Sequence, residues 1–426
     1  MFEMAPRFAI DAGTAPEQLL ADRIQRLEDA IRLEAPDRVP IFMPAGHFLA
    51  GWGGITHQEL TEDRERHKGL LVEAAEHFQP DSILGLFIDA GAPLALGCRM
   101  TKWPGRGVSP DVAFQFVEDE YMTADDYDAF LTDPSDWIVR TYLPRAFTEL
   151  EGFAELPPLG MAGLGVYNLL NAAVLQTPPL ARALEALAQA AAEQAEADAK
   201  VGETMAALAE VGVAPPPLAG ALVHAPFDFM SDTLRGMRGI MLDVHRRPDQ
   251  LLEAQERVIE IQAEFARGFA DKTGLRRAFI PLHRGSDGFL SLAQFERFYW
   301  PQLEALITRL VDAEITPFVY YEGVWDDRLD YVASLPRAKT VGWFQFSDVF
   351  KVKEIVGDTM CLMGGMRNSL LQAGTVDEVH ETTRQLCEVV GDRGGYIMAP
   401  SIGEMDGCRP ELVEAWVDAT RVYGAY

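Results

Sequence analysis

Positive charge is scarce. Lys and Arg number 37 against 65 Asp and Glu, so the 426-residue chain carries a formal charge of −28. Such a surface argues against nucleic acid and anionic membranes as partners, because binding a polyphosphate needs a positive face. It also disfavours a highly anionic ligand, unless a local Arg cluster overrides the global field. Cysteine is equally sparse. Cys98, Cys361, Cys387 and Cys408 stand without CxxC spacing, which excludes a disulfide scaffold and a Cys-rich zinc module. No window approaches ~18 to 20 uninterrupted apolar residues, so no membrane span is expected. The opening MFEMAPRFAIDAGTAPEQ lacks the basic segment and apolar run of a signal peptide, and the expected setting is cytoplasmic. No GxGxxG, HxH or HExxH occurs. The first absence weakens a dinucleotide-binding sheet, the second and third a conventional zinc site.

What is present is an alternation. Hydrophobic residues make up 48% of the chain, an ordinary globular share. The length allows two or three domains, or one α/β barrel with insertions. Asp22 to Arg32 places Ile24, Leu27 and Ile31 at helical spacing, and VPIFMPAG follows as a short run of the kind buried on both faces. Glu59 to Phe78 reads as helix. Further short apolar runs lie at 82–89, 219–227, 278–284, 316–322, 340–346, 359–364 and 395–400, most of them separated by helical patterns. Eight strands alternating with helices predict a parallel sheet closed into a (β/α)8 TIM barrel, with a doubly wound open sheet as the competitor. The whole chain, 1–426, is expected to form this one domain, with an N-terminal helical extension. An insertion at about 100–215 interrupts the alternation. It reads as a hairpin, an acidic capped helix and a long Ala-rich helix from the Pro178–Pro179 pair, serving as a lid, a dimer arm or plain surface.

In a barrel, the loops at the C-terminal ends of the strands build the site. The polar residues directly after each run are therefore the candidates: His47, Asp89, His224 with Asp228, then His283, Arg284 and Asp287, then Tyr320 and Glu322, then Asp348, and last Ser401 with Glu404. Asp89 ends an apolar run, where a carboxylate is costly unless it is hydrogen-bonded or functional. Glu322 ends another, and a Glu in an apolar mouth can act as an acid near neutrality. His283 and Glu322 are the pair that could hold a metal, if any does. His57, His67 and His77 read as surface residues of one polar helix. Aromatics near the expected mouth, among them Phe87, Tyr320 and Trp343, suit an apolar or aromatic ligand better than a sugar phosphate.

Several segments resemble the uroporphyrinogen decarboxylase superfamily, which includes methyltransferases that exchange methyl groups with corrinoid proteins. The similar stretches are RLEDAIRLEAPDRVPIFMPAGHFL, FIDAGAPLALGC, LRGMRGIMLDVHRRPDQLLE, GSDGFLSLAQFERFYWPQLEALI, MCLMGGMRNSLLQAGTVDEV and the ending GGYIMAPSIG with PELVEAWVDATRVYG. They cover about 22–100 and 222–425, in the right order. The resemblance implies a (β/α)8 barrel and makes Asp89, His283 and Glu322 the catalytic candidates. His47, His224, Arg284, Asp287, Tyr320, Asp348 and Ser401 would bind the substrate.

The resemblance is closer to the methyltransferase-like branch than to the decarboxylase. The decarboxylase's Arg-rich segment after the first strand, which clamps a polycarboxylate, is replaced here at Met43 and His47. The zinc ligands of the thiol-methylating members, His-x-Cys and a later Cys, fall at Tyr320, Glu322 and Ser401, so zinc of that type has lost its usual ligands. The implied activity is methyl transfer with a corrinoid protein, such as demethylation of an apolar or aromatic methyl ether. Cobalamin would arrive on the partner, because this chain lacks the corrinoid-binding "DxHxxG" segment. A decarboxylase acting through Asp89, and a non-catalytic corrinoid- or tetrapyrrole-binding protein, stay open, as does a homodimer.

Overall fold

A computed structural model describes residues 13–158 and 173–426. Eight short strands run parallel: β1 (Phe42–Pro44), β2 (Ser82–Leu84), β3 (Ala221–Leu222), β4 (Arg277–Leu282), β5 (Thr316–Tyr321), β6 (Val341–Phe344), β7 (Cys361–Met366) and β8 (Tyr396–Pro400). Strands β3 to β8 form one six-stranded sheet in sequence order, and β1 pairs with β2 in a second ladder. The ladders meet where Ile41 bridges Met398, whose N–H donates to the Pro40 carbonyl at 2.9 Å. On the far side of β2, Ser82 bridges Ala214. Among the described residues no ladder joins β2 to β3. All eight expected strands are present, in an α/β architecture.

Strand side chains alternate between two apolar layers, as a pleat requires. Val319, Tyr321, Ile280 and Leu282 pack outward against helices such as α4 (Pro248–Thr273) and α5 (Trp300–Asp312). Phe318, Tyr320, Trp343, Met363, Ala399 and Phe42 face a second, inner cluster. The first helix, α1 (Pro16–Ile31), joins this inner cluster through Leu27, Ala30 and Ile31, next to residues at the early ends of the strands such as Val341 and Cys361. It therefore packs at the N-terminal ends and leaves the C-terminal ends to the loops.

Three local departures from the sequence reading matter for the site. Strand β2 stops at Leu84, so Asp89 sits on the loop beyond it rather than at the strand end. The helix expected over 59–78 is broken into His57–Glu62 and α2 (Arg64–Phe78), because the Asp63 side chain accepts the Arg66 N–H and starts a new helix. The break turns His57 inward, where it is 8% exposed. His67 is half-buried and its Nε2 accepts the Leu86 N–H at 3.1 Å, so neither is a plain surface residue. The described part of the insertion supplies a small antiparallel ladder (Thr101–Pro104 with Gln115–Phe116) and the long α3 (Pro178–Glu210). Its residues 159–172 lie outside the described chain.

Candidate active site

The register of β4 and β5 sets the centre. Pro281 pairs with Tyr320 and Leu282 with Tyr321, so the next residues along, His283 and Glu322, leave adjacent strands at the same height. Alternation from Phe279 and Phe318 puts both on the inner side. Nε2 of His283 lies 3.7 Å from Glu322 Oε1, an ion-pair distance too long for a hydrogen bond. Nδ1 of His283 meets Asp232 Oδ2 at 2.5 Å. Asp232 lies one helical turn beyond Asp228, so both carboxylates share a face of the turn after β3.

Asp228 is fully buried and clamps the end of β4. It accepts the backbone N–H of His283 at 2.8 Å and of Arg284 at 3.0 Å, and the Tyr299 hydroxyl at 2.7 Å. Arg284 donates to Ser231 Oγ at 3.1 Å, Asp232 at 3.0 Å and Glu118 at 3.2 Å. A guanidinium held on three sides is a scaffold for Asp232 more than a free ligand clamp.

The charges are mutually adjusted. Burial pulls the His283 imidazole down, but its hydrogen bond to Asp232 and the charges of Asp228, Asp232 and Glu322 outweigh that and raise it to about 9. Burial and the charge of Asp232 push Asp228 up to about 7, against donors that favour its charged form. For Asp232, burial is overcome by His283 and Arg284, which hold it below the usual carboxylate range. Glu322 is raised, chiefly by burial. His224 is pulled down to about 4 by burial and by the neighbouring His283 charge. The result is an imidazolium with an anionic anchor on one nitrogen and a proton on the other, beside a neutral imidazole.

Below this centre lies an aromatic floor. Phe87, 46% exposed, meets the Phe279 ring edge-on at 5.3 Å between centroids. Phe279 stacks on Tyr320 at 6.4 Å, and Tyr320 contacts Trp343 at 4.8 Å. The Tyr320 hydroxyl donates to the Ser401 carbonyl at 3.3 Å and accepts the Gly403 N–H at 3.2 Å. The Trp343 indole donates to the Pro400 carbonyl at 2.9 Å. Tyr299, Tyr321 and Trp325 belong to the outer core.

The other candidates are dispersed. Asp89 takes a bidentate ion pair from Arg64, both contacts 2.8 Å, and accepts the Gly91 N–H; its pKa is lowered, Arg64 and Gly91 overcoming burial. Arg64 continues to Glu193 and Glu196 of α3, so Asp89 ties the insertion to the strand ends. No hydrogen bond or ion pair joins Asp89 to His283 or Glu322. Asp287 accepts the Asp327 N–H and pairs with Arg328. Asp348 caps the helix Val349–Val356. Both are loop anchors. His47 is 2% exposed, directs its backbone N–H and Nδ1 to Glu404, and packs against the His57 ring, tilted at 44° with centroids 4.5 Å apart. Asp232 escaped the sequence reading, although its spacing of four from Asp228 was a visible signal.

A metal does not fit this donor set. Among the described residues no three His, Cys, Asp or Glu side chains converge as metal ligands. Tyr320 and Ser401, two of the positions where the resemblance places zinc ligands, bond each other through hydroxyl and carbonyl, and burial pushes the Tyr320 phenol well above its ordinary range.

Parallel strands in sequence order, with titratable side chains at their C-terminal ends, define an α/β protein. The profile of the uroporphyrinogen decarboxylase (URO-D) family matches residues 161–423, more than half of the chain, and the protein belongs to that family. Among solved structures it is similar to a methyltransferase from Methanosarcina mazei, with a TM-score of 0.59 and 17% sequence identity, over 93% of this chain and 98% of that one. At that identity the likeness concerns the fold. No curated protein matches.

Proposed function

We propose that the eight strands close into a single (β/α)8 barrel domain and that the chain is a methyltransferase working with a corrinoid protein, taking the methyl group from an aromatic methyl ether. The observation that carries this reading is the His283 imidazolium, anchored by Asp232 and presenting Nε2–H above the aromatic floor. The departing oxygen of an aryl ether is a phenolate, whose conjugate acid has a pKa of about 10. An acid of about 9 gives up its proton to it downhill, yet stays protonated at neutral pH. Glu322, raised by burial, faces the same nitrogen and keeps the cation oriented. The floor of Phe87, Phe279 and Tyr320 offers stacking to a flat ring and no charge to an anion.

The corrinoid, bound to the partner, would supply the nucleophile that accepts the methyl group. Residues for the partner's approach are at hand. Val324, Phe346 and Phe350, which follow β5 and β6, are 39%, 60% and 39% exposed, an apolar rim beside the centre. A carboxy-lyase acting through Asp89 fits less well, because Arg64 occupies both of its oxygens.

The test is demethylation of a panel of methoxyaromatics by the purified chain with its cognate corrinoid protein in the Co(I) state, read as phenol release. Release that falls at least a hundredfold in His283→Gln supports the reading. No methyl transfer from any ether, or full activity in that variant, overturns it.

A further inference from the structure

On this acidic chain the enclosed arginines are answered by carboxylates. Arg26 lies against Asp37 and Asp81, Arg64 against Asp89, and Arg235 against Asp243 and Glu120. The helix Gly236–Arg246 carries exposed arginines instead. Arg238 and Arg246 stand eight residues apart on one face with Leu242 between them, all three exposed, and among the described residues neither arginine has an ion-pair partner. With Arg235 and Arg247 they line an open cleft of about 650 Å³ between this helix and the segment at Glu120 and Ala124.

Helix stability accounts for only part of this. Arg246 lies in the last turn, where the helix dipole favours a cation. Arg238 lies in the first turn, where the dipole disfavours one. The floor between them is kept open by Gly239, at which a Cβ would come within 3.1 Å of the Arg235 guanidinium carbon. Arg235 is neutralised by its own partners and forms the wall. Arg247 reaches Asp125 only at 3.4 Å, on a side chain that is 95% exposed, and donates to Gln250 at 3.1 Å. Two guanidinium forks without an ion pair, from Arg238 and Arg246, and a third, from Arg247, paired with the exposed Asp125, thus line one cleft.

We propose that this cleft, outside the acid–base centre, binds a small molecule bearing a phosphate group. The three arginines hold the phosphate, since the planar fork matches phosphate oxygens two at a time, and Leu242 takes an apolar portion. The volume is that of an ordinary small-ligand site. The overall charge of −28 does not forbid it, because distant charges are screened beyond about 10 Å at 0.1 M salt and the nearest ones decide.

The experiment is isothermal titration of the full-length chain with pyrophosphate and with adenosine diphosphate in a phosphate-free buffer, with adenosine as the uncharged control. At least one anion binds at millimolar concentration or tighter, and adenosine does not. The double variant Arg238→Ala/Arg246→Ala weakens that binding at least tenfold with an unchanged melting temperature. Arg393→Ala, an exposed arginine on a different loop, leaves it unchanged. If the double variant melts early, Arg238→Ala alone is read, with a threefold loss expected. Absence of heat from both anions, equal binding of adenosine, or variants that bind as tightly as the parent would overturn the proposal.

Discussion

His283 and Glu322 leave neighbouring strands at the same register, and Nε2 of the one lies 3.7 Å from a carboxylate oxygen of the other. The imidazole therefore sits between two acids, Asp232 behind it and Glu322 in front. The hydrogen bond to Asp232 is the larger support for its charge, and Glu322 contributes least.

Removing the two acids in turn should rank them. Asp232→Asn is expected to lower the His283 pKa from about 9 by more than Glu322→Gln does, and both should lower it. Histidine C2 proton shifts followed by NMR across pH 5 to 10 measure both. A rise in either variant, or the reverse order, contradicts the assignment.

The same proton makes a contribution to stability with a definite pH window. His283 binds its proton more tightly in the folded chain, at about 9, than at its ordinary value of 6.5. The stabilisation is full below about pH 6.5 and is lost as pH rises through about 9. A gap of that size corresponds to on the order of 3 kcal/mol. Chemical denaturation of the parent and of His283→Gln should show a difference that shrinks between pH 6 and pH 9.5; a constant difference would count against it.

Acid acts through other histidines. Burial holds His67 at about 4, with the charge of His47 adding to the effect, and His224 is held at about 4 as well. The unfolded chain binds more protons than the folded one between about pH 4 and 6.5, so stability falls as pH drops through that window. His67 Nε2 accepts the Leu86 N–H at 3.1 Å. Glutamine can accept the same bond, so His67→Gln should fold and show a shallower loss of stability from pH 6.5 to 4. An unchanged slope would assign the acid limb elsewhere.

The aromatic floor makes its own forecast. Phe87→Ala removes the half-exposed ring that meets Phe279. An aromatic contact contributes about 0.5–1.5 kcal/mol, so KM for a methoxyaromatic should rise about two- to tenfold with kcat little changed. Kinetics with paired aromatic and aliphatic ethers read this directly, and equal changes for both would remove Phe87 from ring recognition.

The strands were legible because each is a short apolar run between breakers, and because alternation survives past their ends. Phe318, Tyr320 and Glu322 keep one face, so the glutamate that ends the apolar run points into the mouth. The pairing of His283 with Glu322 is fixed by register between strands, which periodicity within one strand does not encode. Asp89 misled for a related reason: the apolar run 82–89 continues past the last paired residue, Leu84, and the final part is loop. Its partner Arg64 lies 25 residues earlier, on a helix whose start at Asp63 was hidden inside one continuous helical pattern. His57 was misjudged through the same unseen break.

Because α1 packs over the early ends of the strands through Leu27, Ala30 and Ile31, that side of the sheet is covered and the loops at the opposite rim are left for ligands. In the reading proposed above, a small molecule and a visiting protein would share that rim, the small one entering first. Under that reading turnover would be sequential, the product leaving after the visitor departs.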